Sequence, residues 1–234
     1  MNYIKDDCKY VEFLKKYFPY SNIIQDTDRK LIYLRVCENN LFTEIYISRI
    51  VNYQLQCELI FLKKYREQFN KLLIYIALNE PSGIEFCIRS TIEYILKFFY
   101  SIYFDKKFEM ISKTSFRNIK DDFNKLETHI FIDKTNIELL LSDYGAYSNS
   151  IHGKEINESS SLEYMENIIT LKNNDLKKID KVLIRILNNY EKLMNNILKI
   201  NEINLSTAES IKIIKTLPKK RVEKIQKFYF INKQ

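Results

Sequence analysis

The chain has 234 residues, 46% of them hydrophobic and 14% aromatic, with only three glycines and three prolines. This composition excludes a disordered chain, argues against turn-rich all-β folds, and leaves no Gly-rich phosphate loop of the Rossmann or P-loop kind. The net charge is +7, and all of it lies in residues 211–234, where eight basic residues face one acid.

Residues Asp6–Phe18 are expected to form a short amphipathic helix stopped by Pro19. Lys30–Cys37 is open: its β-branched and aromatic residues permit a short strand, and a helix is equally defensible. From Leu41 to Leu78 apolar residues recur at helical spacing, which predicts one long helix or two in sequence. The run Asn79 to Gly83 breaks that pattern, and Pro81 suits the first turn of the next helix. This next helix, Pro81 to about Phe104, is the clearest, with Ile84, Ile88, Ile92, Ile95, Phe99 and Ile102 as its buried stripe. Asp105–Lys134 lacks a long period and is expected to hold short helices or an ordered loop. Asn136–Ile151 predicts another helix, with Ile137, Leu140, Leu141, Tyr144 and Ile151 inward and Gly153 at its end.

The last long helix is expected from about Leu162 to Ile200. Within it Leu176, Ile179, Leu183, Ile186, Tyr190, Leu193, Ile197 and Ile200 step alternately by three and four. That is the seam of a helix lying nearly parallel to a neighbour. The expected fold is therefore all-α, a bundle of long antiparallel helices. The length suits one domain, divided into an appendage over 1–40, a bundle over 41–204 and a basic C-terminal segment over 205–234.

Met1 to Lys16 carries three acids and no signal-like apolar core, and Leu72 to Leu78 is far too short to span a bilayer. A cytoplasmic protein without a membrane anchor is the expectation. Cys8, Cys37, Cys57 and Cys87 are irregularly spaced, so reduced and mostly buried thiols are expected, with no metal site and no cofactor. The basic residues Lys212, Lys215, Lys219, Lys220, Arg221, Lys224 and Lys227 are candidate nucleic-acid contacts, because a polycation gains affinity by releasing condensed counterions. A solvated terminal helix explains the same charges equally well.

Two groups of residues carry possible chemistry. His152 follows Ser148 by four residues and Asn149 by three, which puts the three on one side of a helix end. A helix-capping histidine is the simpler explanation, since the macrodipole favours a cation there. Glu85, Arg89, Glu93 and Lys97 alternate in charge every four residues. They form either a solvated ladder of ion pairs or a set in which Arg89 and Glu93 turn into a cleft.

Ile88-Arg89-Ser90-Thr91-Ile92-Glu93-Tyr94 resembles the "R-S-x-x-E" helix of prokaryotic HEPN-like families, and Ser148 to His152 is similar to their later "S-x-x-x-H" helix. The resemblance covers roughly residues 45–200. It implies an all-α bundle, usually a homodimer, often from toxin–antitoxin or phage-defence loci with a co-encoded antitoxin or defence partner. Many such proteins are metal-independent endoribonucleases. Their usual signature sets an arginine before the histidine with four to six residues between them, where this chain has Gly145, Ala146 and Tyr147. The resemblance therefore implies Arg89 as the guanidinium that stabilises charge on RNA, His152 as the acid or base, and Glu93, Ser148 and Asn149 beside them. The alternative is a non-catalytic interaction or oligomerisation module, with nucleic acid held through the basic segment.

Overall fold

The computed structural model describes residues 3–126, 133–151, 162, 176–198 and 206–223. Regular structure among them is helical throughout. The elements are α1 (Tyr3–Tyr17), a 3-10 turn (Asn22–Ile24), α2 (Arg29–Asn52), α3 (Leu59–Ala77) and α4 (Pro81–Tyr103). They continue with α5 (Phe108–Lys113), α6 (Phe116–Lys125), α7 (Lys134–Ile151), α8 (Leu176–Leu198) and α9 (Thr207–Thr216).

The glycine-poor chain ends its helices with other residues. Gln54, Asn79 and Asp105 take φ near +50° just after α2, α3 and α4. Asn and Asp tolerate this left-handed conformation better than most side chains, so two of the three stops use suitable residues. Helix starts are capped from side chains. Glu80 accepts from the Ser82 and Gly83 amides at α4, Ser115 from Asn118 at α6, and Ser206 with Glu209 forms a reciprocal box at α9.

Five helices pack as a closed ring in the order α2, α3, α4, α7, α8 and back to α2. Pairings along each contact fix the directions. Glu58 with Ser101, Lys64 with Tyr94, and Gln68 with Cys87 make α3 and α4 antiparallel. Asp143 with Arg185 and Asp133 with Asn196 do the same for α7 and α8. In contrast, Arg35 meets Asp180 and Thr43 meets Tyr190, so α2 and α8 run parallel. The expected all-antiparallel arrangement therefore fails at the seam that closes the ring. The seam has an aromatic centre, where the Tyr190 ring lies 4.7 Å from Tyr65 and edge-on at 5.5 Å from Tyr46.

Lys30–Cys37 belongs to α2 and is helical. The ambiguity had a physical source. α2 touches α1, α3, α8 and α9, so it buries polar as well as apolar residues over a broad arc and shows no single apolar stripe. It also runs unbroken through residue 40, where the appendage was expected to end. The 41–78 pattern resolves into two helices, and the apolar Val51 is exposed at the break.

The α8 seam also drifts. Leu176, Leu183, Ile186, Tyr190 and Leu193 are buried as expected, but Ile179 and Ile197 are only half-buried while Leu187, Met194 and Leu198 are inside. A helix of 3.6 residues per turn leaves a 3.5-residue repeat behind by about 20° per heptad, and this helix follows its own period. Ile200 lies outside the described residues. α5 and α6 flank α4, as short helices were expected there. Of the four cysteines, only Cys87 is buried, Cys8 is exposed, and none is disulfide-bonded.

Candidate functional site

The α4–α7 contact joins the two helices that carry the candidate motifs, through Arg89 and Tyr144. The Arg89 Nη2 donates to the Tyr144 hydroxyl at 2.9 Å, and the guanidinium carbon lies 5.2 Å from the Tyr144 ring centre. Tyr144 also stacks on Phe116 at the start of α6, with centroids 3.4 Å apart and planes 18° from parallel. Arg89 Nε is buried with no hydrogen-bond partner among the described residues. Arg89 is thus turned toward α7, as the second account of the charge ladder expected.

Glu93 does not join it. Its carboxylate accepts from Lys97 at 2.6 Å on the same helix, and both side chains are largely shielded. The ladder therefore divides: Arg89 reaches across to α7, and Glu93 stays with Lys97. Ser148 is half-buried on α7, and its Oγ has no hydrogen-bond partner among the described residues. Asn149 is described only through the α7 backbone, and His152 lies outside the described residues.

One turn along α7 from Tyr144, Tyr147 borders a cleft of about 330 Å³ with Ile84, Glu85, Ile88, Lys178, Ile179 and Val182. Burial raises the Tyr147 hydroxyl above its ordinary value, Arg185 opposing. The spacing does not single out Phe116. Tyr144 fell on a buried stripe, and nothing in the spacing showed that its hydroxyl would hold Arg89. Among the described residues no three His, Cys, Asp or Glu side chains converge as a metal site requires.

The basic C-terminal candidates occupy different positions. Arg221 is an internal residue: it donates to the buried Glu38 and, at 2.5 Å, to Glu191. Burial opposes its charge, but the two carboxylates outweigh that and raise its pKa. Arg35 completes the chain by bridging Glu38 at 3.0 Å and Asp180 at 2.8 Å. Lys212 pairs with Glu44 at 2.6 Å, and Lys219 stands 4.0 Å from Glu223. Lys215 and Lys220 are exposed, while Lys224 and Lys227 lie outside the described residues. Together with the Arg49–Glu209 fork at 2.8 and 3.1 Å, these contacts seat residues 206–223 antiparallel along α2. Sequence reasoning missed Glu38, although an acid between Val36 and Leu41 on an apolar helix was the available signal.

No described helix is long and apolar enough to cross a membrane. Comparison with protein-family models, curated proteins and solved structures returned no match.

Proposed function

We propose that this is a HEPN-like protein acting on RNA by metal-independent cleavage, in a cytoplasmic defence or toxin–antitoxin setting and as a homodimer. The observation that carries the reading is the Arg89–Tyr144 contact, since it joins the two helices bearing the resemblance. In the reaction the RNA 2′-oxygen bonds to the adjacent phosphorus and the bond to the 5′-oxygen breaks. A cyclic 2′,3′-phosphate and a 5′-hydroxyl remain. Arg89 stabilises the phosphorane charge, while His152 moves a proton between the 2′- and 5′-oxygens. Tyr144 holds Arg89 in place, so it is a positioning residue.

The test is cleavage of RNA in EDTA by the purified protein and by Arg89→Ala, His152→Ala and Tyr144→Phe variants. The first two are expected to abolish cleavage, and the third to slow it. Wild-type cleavage retained by both alanine variants rejects the assignment, as does the absence of cleavage in the wild type. A second reading, a non-catalytic interaction module, is favoured by the pairing of Glu93 with Lys97, which leaves that carboxylate committed to its own helix. It predicts partner or self-association that survives Arg89→Ala.

A further inference from the structure

The charge on α8 is sorted by direction. The helix carries five cations, Lys177, Lys178, Lys181, Arg185 and Lys192, and all five are exposed. At about 100° per residue they fall within an arc of about 100°. The two acids of the helix lie outside that arc and point into the protein, Asp180 to Arg35 and Glu191 to Arg221. Neighbouring helices return part of the balance, because Asp28 stands 3.7 Å from Lys177 and Asp143 pairs with Arg185 at 2.7 Å. The face keeps a net positive charge over about 22 Å of helix, at 1.5 Å per residue.

The seated C-terminal segment extends this face. Lys220 borders a cleft with Ile184 and Asn188 of α8, and the exposed Lys219 precedes it. The Arg221 anchor thus sets these lysines beside the α8 row instead of leaving them on a loose tail.

We propose that the outward face of α8, with Lys219 and Lys220, binds the phosphate backbone of duplex nucleic acid without regard to sequence. Three features choose this occupant. The row is straight and roughly as long as six base pairs, at about 3.4 Å per step. None of the large apolar side chains exposed on the described surface belongs to α8, so the face lacks the anchors that membranes and protein hot spots require. It also carries no aromatic ring exposed for stacking on the bases of a single strand. This reading is independent of RNA cleavage and survives its failure.

The experiment is fluorescence anisotropy of the full-length protein with short DNA and RNA duplexes over a range of salt. The variant is Lys181→Ala/Lys192→Ala/Lys220→Ala, and Lys224→Ala/Lys227→Ala/Lys233→Ala is the control. The slope of log affinity against log salt is expected to flatten by about two to three in the first variant, at about 0.9 per lost B-DNA phosphate contact. Its low-salt affinity should fall by tenfold or more, with Lys181→Glu alone giving a loss in the same direction and circular dichroism unchanged. The control is expected to keep most of the binding. The proposal is overturned by absence of salt-dependent duplex binding in the wild type, or by unchanged binding in the first variant. Loss of binding in the control alone, or a preference for phosphatidylserine vesicles over duplex, overturns it equally.

Discussion

Replacing Arg221 with alanine tests the ion-pair chain that seats the C-terminal segment. Glu38 is 1% exposed and receives hydrogen bonds from Arg35 and Arg221, while Arg221 also holds Glu191. Stranding a buried charge by deleting its partner costs about 3–5 kcal/mol. Two facts lower that figure here: Arg35 remains 3.0 Å from Glu38, and the Arg221 and Glu191 side chains retain 17% and 14% exposure. A loss of about 2–3 kcal/mol is therefore expected, part of it from the packed arginine stem. Urea unfolding should show a lower midpoint at unchanged slope. Adding Glu38→Gln to Arg221→Ala should restore about 1 kcal/mol or more, because the neutral amide no longer needs a cation. Arg221→Lys should fall between, since one ammonium cannot fork to two carboxylates. A change within about 0.5 kcal/mol for Arg221→Ala would refute the reasoning, because surface pairs behave that way.

Other expectations follow from single contacts. A Cβ on Gly83 would run into the Tyr75 ring and the Glu80 carboxylate that caps α4. Gly83→Ala should therefore destabilise by about 1–3 kcal/mol by thermal unfolding, despite its gain in helix propensity. The Tyr65 hydroxyl is buried with no hydrogen-bond partner among the described residues. Tyr65→Phe should accordingly be neutral or stabilising by up to about 1 kcal/mol in urea, and a loss beyond that would reveal an unseen partner. Burial alone would raise the Glu209 carboxyl, but Arg49 and Ser206 outweigh it and hold its pKa below the usual 4.5. Its stabilising contribution is then present above that value and lost as pH falls through the lowered one. Glu209→Gln should flatten the acid limb of a stability–pH curve, and an unchanged limb would contradict the fork.

The sequence is most readable where a helix has one wet side. α7 shows a clean stripe because Thr135, Glu138 and Ser142 on its opposite face meet solvent, whereas α4 is legible from its long apolar run opened by Pro81, and the bounds of both fall within a few residues of expectation. α2 is opaque for another reason: it packs against four helices, so the polar Glu38, Asn39 and Thr43 are buried beside Ile45 and Leu41. Spacing located Arg89 but left its direction open, because two positions apart on a helix face either water or a neighbour depending on packing. The direction followed from Tyr144, a residue 55 positions away. The basic segment misleads in another way. Composition counts Arg221 with its neighbours, whereas burial separates an internal anchor from the exposed Lys219 and Lys220.

The parallel seam between α2 and α8 has a consequence for how the chain assembles. Arg35 and Asp180 are separated by 145 positions, and Thr43 and Tyr190 by 147. The α3–α4 hairpin, joined by three residues, can form early from local contacts, while ring closure must wait for α8. During synthesis the polar stretch Glu38–Asn39–Thr43 therefore stays hydrated until both α8 and the Arg221 segment have emerged. The nascent protein passes through an open horseshoe with an unclosed flank, and that interval is when chaperones and proteases have access to it.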